Sequence, residues 1–382
     1  MLKQSKITFI SLAAALLVTS SASAKIERFV INENYVQERE QKTTEYVPQI
    51  ELALQHPLQI SDLDLAIFNH NEHVQPYIGK VRNRYHVGDK IVLITSDHLT
   101  AFDLPIAQIP FKGAVLNLIS EYWFKETAHI MPNHIISVPH PNVTIAKAVI
   151  PYKVEFVVRE YLTGSSGTSI WTLYKKGQRE FGGIVLPDNM QQHQKLPYPI
   201  ITPTTKSDKH DEPLTPQEII NQGLMTQKQW DECSAKAIEL FELARDVAAK
   251  RGLILVDSKM EMGIDTEGNN VLIDELFTPD SSRYWIASSY DLAAVIKGKG
   301  SPKNIDKEFI RLWISSQCDP YKDPIPMVPQ DQIVELSRRY IMLYEIITGQ
   351  KFPFKEVVGA KNLNESIYGE LVLSETVAEL NF

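Results

Sequence analysis

The stretch Leu253–Gly263, LILVDSKMEMG, runs from an unbroken apolar segment into Asp257, Lys259 and Glu261 at every second position. Period-two spacing predicts a strand and sends those three charges to one face of it. Downstream, DTEGNN (Asp265–Asn270) predicts a turn and VLIDELF (Val271–Phe277) the returning strand. That hairpin brings Asp274 towards Glu261 on the neighbouring strand. Two facing carboxylates repel unless a cation lies between them, and Mg²⁺ held by one or two carboxylates plus substrate phosphates suits such a pair. A solvated hairpin face, with Lys259 paired to one of the acids, fits the pattern equally well.

Three other stretches extend the theme of charge placed on strands. GKVRNRY (Gly79–Tyr85) puts Lys80 and Arg82 on one face of a strand that begins at a glycine. This suits phosphate oxygens approached closely by backbone, and it equally suits a solvated basic strand. Neither Walker spacing nor Gly-x-Gly-x-x-Gly is present. EFVVREYLTGSSG (Glu155–Gly167) leads a β-branched strand into Arg159 and a Thr163-Gly164-Ser165 turn. An arginine there is costly to bury without an anion, and the turn offers hydroxyls and N–H groups. FTPDSSRYW (Phe277–Trp285) repeats this with Asp280, Ser281, Ser282 and Arg283. Each of the last two is also readable as a capped turn around a structural arginine. Together, beside an acid pair, they point to an anionic substrate.

Around these stretches lie 382 residues, enough for two lobes sharing a cleft, with 43% hydrophobic and 23% charged residues. A net charge of −8 argues against a general nucleic-acid or anionic-membrane binder, while leaving room for a local basic pocket. Cys233 and Cys318 show no metal-ligand spacing; two unrelated thiols are expected rather than a disulfide. Residues 1–24 combine Lys3 and Lys6, an apolar run Ile7–Val18 and Ala22-Ser23-Ala24, the layout of a secretory signal cleaved after Ala24. A buried N-terminal helix is the alternative; no other segment reaches membrane-spanning length.

The rest predicts a helix near Val47–Gln55, strands Gly79–Tyr85 and Lys90–Thr95 about a turn at Val87-Gly88-Asp89, and a helix over Gly113–Thr127. Strand-like residues to Leu162 are interrupted by Pro151; Gly177–Pro216 is aperiodic and loop-like. One long helical stretch follows, from a cap at Thr215 to a stop at Gly252. The expected class is α+β: a lead-in and β-rich lobe over 25–158, a mixed lobe over 159–300 and a helical region over 301–382.

These residues resemble the phosphoribosylaminoimidazole-succinocarboxamide synthase (SAICAR synthetase) family of purine biosynthesis. The resemblance runs from about Gly79 to the C-terminal helices, through GKVRNRY, SDHLTAFD, KGAVLNLISEYWF, EFVVREYLTGS, LPYPIITPTTKSDKHDEPLT, LILVDSKMEMG and LIDELFTPDSSRYW. It implies a two-lobed, kinase-like ATP-binding fold that joins carboxyaminoimidazole ribonucleotide (CAIR) to L-aspartate, converting ATP to ADP and phosphate with Mg²⁺. By the same resemblance Lys80, Arg82 and Lys147 contact ATP, and Lys147–Tyr152 forms the adenine hinge. Glu261 and Asp274 are the metal acids and also face ATP. Arg159, Ser165, Asp257, Lys259, Ser282 and Arg283 line the ribonucleotide site, and Lys206 and Asp211 close over the substrates. Lys259 is expected to stabilise charge on the reacting carboxylate and Asp257 to orient an amine. The chain departs from the family pattern at Asn83, His98, Lys153, Glu160 and Met262. No nucleic-acid partner is expected, and no membrane once a signal is removed.

Location divides the expectations: the N-terminus implies the periplasm or secretion, the family the cytoplasm. Two alternatives follow, an exported nucleotide-binding protein of altered catalysis and a ligase that uses another amine.

Overall fold

The computed structural model describes residues 34–55, 74–206, 212–355 and 357; the signal-like residues 1–24 and Asp211 lie outside the described residues. Two helices, α1 (Tyr35–Thr43) and α2 (Val47–Ala53), stand where the lead-in predicted one. Then come β1 (Val74–Ile78), β2 (Arg82–Val87), β3 (Lys90–Thr95), a small hairpin of β4 (His98–Ala101) and β5 (Leu104–Gln108), α3 (Lys112–Glu126), β6 (Ile135–His140) and β7 (Val143–Lys147). The first sheet has the order β1-β2-β3-β7-β6. Gly88, at φ 61°, supports the expected tight turn that pairs Val87 with Lys90. Lys80 is not on a strand: β2 starts at Arg82, and Lys80 is exposed in the turn after β1.

The second sheet begins with β8 (Ile150–Tyr161), which carries Pro151 near its start and runs through the expected lobe boundary at Val158. After α4 (Ile170–Lys175), the stretch expected to be loop contains β9 (Glu180–Phe181), β10 (Ile184–Val185), β11 (Lys195–Ile201) and β12 (Thr204–Thr205). Its Phe181, Leu186, Met190, Leu196 and Ile200 close a small core with Leu162, Ile170 and Tyr174. Strands this short show too little alternation to be read from sequence. The expected single helix is two, α5 (Pro216–Asn221) and α6 (Gln227–Lys250), each opened by a capping box, Thr215 with Glu218 and Thr226 with Gln229. β13 (Leu253–Ile264), β14 (Asn270–Ile273), β15 (Ser282–Ile286), α7 (Leu292–Ile296), α8 (Glu308–Gln317) and α9 (Gln330–Thr348) complete the chain. The sheet order is β11-β8-β13-β14, with β12 added to β8 and β15 to β13.

β13 changes phase part-way along. Against β15, Leu255 pairs with Tyr284 and Asp257 with Arg283, so Val256 is an extra residue, a β-bulge. Leu253 and Leu255 enter the main core before it, Met260 and Met262 after it, while Val256 packs with Tyr161 and Trp285 instead. In a regular strand of the same length, with no bulge, Asp257, Lys259 and Glu261 would share the phase of Leu253 and Leu255 and point into that core. The bulge is what gives them to the cleft.

Behind the sheets, α9 is buried along most of its length. Its Glu345 accepts from Tyr46 Oη at 2.8 Å and pairs with Arg39 Nη1 at 3.1 Å, tying α1 and the turn after it to the core. Cys233 and Cys318 are both free, as expected. Among the described residues, no helix is long and apolar enough to cross a membrane.

Candidate active site

One pocket takes its walls from both sheets: Arg84, Leu93 and Lys147 from the first, Val149 from the link between them, Glu261 and Ile273, with Asp274 just beyond it, from the second. Glu261 pairs in register with Ile273, so Asp274 is the first residue beyond β14, held at φ 68°. The two acids do meet one pocket, and each has its own cation: Lys206 on Glu261, and Arg82 Nη1 on Asp274 Oδ1 at 2.5 Å. Burial alone would raise the Asp274 carboxyl, but Arg82, Lys206 and Lys259 outweigh it and hold it well below the usual carboxylate range. The pairing of Lys259 with a hairpin acid is present too. Its Nζ donates to Glu155 Oε1 at 2.6 Å and to Glu261 Oε1 at 2.9 Å. Burial works against the ammonium, yet Glu155, Asp274 and Glu275 raise its pKa, so Lys259 stays charged.

The turn carrying Lys80 lies just ahead of Arg82 in the chain. A Cβ on Gly79 would lie 2.3 Å from the Arg82 carbonyl oxygen, so only glycine lets β1 and β2 come this close. His134, against the same pocket, is kept neutral because burial pushes it down to about 4.

Farther along β13 a polar cleft of about 270 Å³ is lined by Arg159, Asp257, Lys259 and Arg283 together with Lys307 and Arg311. Asp257 Oδ2 accepts from Arg283 Nη1 at 2.7 Å and stands 3.3 Å from Arg159 Nη1. Arg159 Nε also donates to Thr202 at 2.8 Å, and Arg283 Nε to Glu308 Oε2 at 3.1 Å. Ser282 reaches the cleft wall, with its hydroxyl donating to Ser258 at 2.9 Å, and Ser165 lies beside Glu308. A more apolar hollow of about 360 Å³ adjoins, sharing Arg159, Thr168 and Thr204.

Sequence reasoning passed over Glu155, Lys307, Glu308 and Arg311. Glu155 had a signal, an acid inside the apolar run VEFVV; the α8 residues read as an ordinary solvated helix face. The family departures stand away from the cleft charges. Glu160 pairs with Arg245 at 3.2 Å and Lys195 at 3.3 Å, Met262 lies in the main core, and Lys153 is exposed. Asn83 is fully buried on β2, and His98 Nδ1 lies 3.2 Å from the Lys80 carbonyl.

The family model described as SAICAR synthetase matches residues 75–328. The chain belongs to the SAICAR synthetase family. The phosphoribosylaminoimidazole-succinocarboxamide synthase of Legionella pneumophila (strain Paris) is 53% identical over 287 residues, 75% of this chain and 91% of the relative. The SAICAR synthase of Saccharomyces cerevisiae, solved with SAICAR, superposes with a TM-score of 0.63 at 28% identity, covering 74% of this chain and 98% of that one. A type-2 SAICAR synthetase solved with ADP gives 0.55 at 27% identity over 73% and 99%. The α+β, two-lobed expectation holds for the family and for this chain.

Proposed function

We propose that the cleft works as one track, with ATP at the Glu261–Asp274 end and the ribonucleotide at the Arg159–Arg283 end. The reaction is the ATP-dependent joining of CAIR and L-aspartate to give SAICAR, ADP and phosphate, a carbon–nitrogen ligation of purine biosynthesis. The observation that carries the residue assignment is the single row Asp257–Lys259–Glu261. At ~3.3 Å per residue it spans about 13 Å, from the paired arginines to the metal acids.

A carboxylate is a poor acyl donor. Transfer of the γ-phosphoryl group to a carboxylate oxygen of CAIR, with ADP leaving, gives an acyl phosphate. The aspartate amine then attacks that carbonyl carbon, loses a proton, and phosphate departs as the amide forms. The protein's share is positioning and charge. Lys259, a persistent cation between the two ends, stabilises the reacting carboxylate and accepts no proton. Asp257 holds Arg159 and Arg283 in place for the ribonucleotide, a role its two guanidinium partners favour over orienting an amine. Lys80 and Arg82 face the ATP phosphates, Lys147 the hinge side, and Lys206 the closure over the acids; Ser165 and Ser282 border the ribonucleotide, and Asp211 is assigned by the family resemblance to closure over the substrates.

Glu261 and Asp274 offer hard oxygen donors, and among the described residues no group of three or more His, Cys, Asp or Glu forms a metal site. Two carboxylates fit Mg²⁺ completed by phosphate oxygens and water. When bound, it supplies positive charge to the phosphates.

The test is phosphate release from ATP by the purified protein, which is expected only with CAIR and L-aspartate both present. Turnover with a different amino acid would replace aspartate in this reading. ATP binding without turnover in Mg²⁺ would make the chain a binding protein of the same fold.

A further inference from the structure

Two motifs of the sequence, SDHLTAFD (Ser96–Asp103) and LTGSSG (Leu162–Gly167), end in turns that one side chain from outside both sheets joins. SDHLTAFD forms β4 and the tip of the β4–β5 hairpin, where Phe102 and Asp103 stand at φ 53° and 63°. LTGSSG leaves β8, and its Ser166, with Thr168 and Ser169 after it, lines the polar cleft. From Gly164 to Gly167 this turn has no apolar side chain to bury, so hydrogen bonds must give it its shape. At its start Thr163 Oγ1 lies 2.9 Å from His193 Nδ1. At its end Ser169 N donates to Ser166 O at 3.0 Å, and Ser169 caps α4. Its crest is held from outside. Gly167 N donates to Tyr321 Oη at 2.6 Å, and a Cβ on Gly167 would meet the Tyr321 ring at 3.3 Å.

Tyr321 stands in the segment between α8 and α9, and Asp319 fixes its place. The Asp319 carboxylate accepts from Tyr321 N at 3.1 Å and pairs with Lys322 at 2.8 Å, while Asp323 Oδ2 accepts from Asp319 N at 3.0 Å. From this turn the ring packs edge-on against Phe102, with centroids 5.6 Å apart at 81°. Its hydroxyl thus holds the turn leaving the second sheet while its ring rests on the hairpin that follows the first. The side chain is 57% exposed and belongs to none of the apolar cores, so little of the fold's stability depends on it.

We infer that Tyr321 is a positioning residue for the reaction: it ties the β4–β5 hairpin to the Ser165–Gly167 turn and so holds that edge of the cleft in the shape the ribonucleotide needs. This rests on the proposed placement of the ribonucleotide, and the test separates the two. Half-saturating CAIR, L-aspartate and ATP are measured, with urea midpoints, for the full-length enzyme and its Y321F, Y321L, G167A and G167A/Y321L variants. Y321F keeps the ring on Phe102 and loses only the acceptor for Gly167. Its half-saturating CAIR is expected to rise roughly three- to ten-fold, the usual weight of a neutral hydrogen bond, with half-saturating ATP and the urea midpoint unmoved. Y321L, which also gives up the ring contact, rises further. G167A crowds the ring and raises the same constant; in G167A/Y321L the added methyl has no ring to meet, so the two effects do not add. A CAIR requirement unchanged in both Y321F and Y321L would overturn the positioning role. So would a lowered urea midpoint with unaltered substrate requirements, or a rise shared equally by all three substrates, since Tyr321 would then be ordinary packing. A rise confined to ATP or to L-aspartate would instead overturn the ribonucleotide placement, because the turn that Tyr321 holds would border that substrate.

Discussion

At the scale of the residue, Asp257 is the most exposed to test. Its carboxylate is buried, and one oxygen takes both Arg159 and Arg283. Removing one partner of a buried ion pair costs about 3–5 kcal/mol, so Asp257→Asn should lower the urea midpoint markedly and raise half-saturating CAIR. Unchanged stability would mean the arginines find water as readily as the carboxylate. Glu261→Gln tests the other end. The lysines on Glu261 are about a third exposed and turn to solvent, so the fold should survive. Turnover should fall roughly a hundred- to a thousand-fold, the cost of one missing electrostatic stabiliser. Near-normal turnover at limiting Mg²⁺ would end the metal assignment. Asp257, Lys259, Glu261, Arg159 and Arg283 were legible in the sequence because charge inside apolar strands is expensive and demands a reason. Lys307 and Arg311 were not, since a basic pair at helical spacing is what any wet helix shows. Only the cleft opposite gives it meaning.

At the scale of the element, two features carry predictions. The β1–β2 turn has no room for a side chain at position 79. Gly79→Ala should open it and raise half-saturating ATP roughly ten-fold, equivalent to ~1.4 kcal/mol of strain, with CAIR binding unaffected. An unaltered ATP requirement would detach this turn from the nucleotide. Thr226 starts α6 with a capping box. Thr226→Ala should cost about 1 kcal/mol in a denaturant titration and leave kcat alone. Both capping boxes, Thr215 with Glu218 and Thr226 with Gln229, stood in the sequence, but the similar apolar periodicity on either side of Gly223 made two helices read as one. The strand β13 and its hairpin were legible from alternation. The strands between Gly177 and Pro216 were hidden by their brevity.

At the scale of the whole molecule, pH reports on the fold. Burial pushes both His134 and His193 down to about 4. The unfolded chain binds those protons near 6.5 while the folded chain refuses them until about 4, so stability is full above about 6.5 and declines as pH falls towards 4. Each histidine contributes a slope of at most ~1.4 kcal/mol per pH unit in that window. Urea midpoints at intervals from pH 7.5 to 4.5 should show the decline, and His134→Asn should flatten it; a midpoint constant over that range would contradict both histidines. The family match, residues 75–328, does not reach α1, α2 or α9, and Glu345 of α9 braces α1 through Arg39 and the turn after it through Tyr46. The leader-like pattern of residues 1–24 predicts export and a mature chain beginning at Lys25. Fractionation of the native host with N-terminal mass spectrometry checks it: full-length chain in the cytoplasmic fraction would place the enzyme with ATP and the rest of its pathway.

The extra residue at Val256 acts on β13 as a shift of reading frame. Upstream of it odd-numbered side chains belong to the core; downstream the even-numbered ones do. Deleting it would leave a regular strand with Leu253, Leu255, Met260 and Met262 on one face and Asp257, Lys259 and Glu261 on the other, so the bulge absorbs one residue without exchanging the faces. Core and chemistry on this strand are thus kept in step across one position. Lengthening or shortening the outlying turn at Asp265–Asn270 would spare that alignment, whereas drawing Val256 into regular alternation would reverse it.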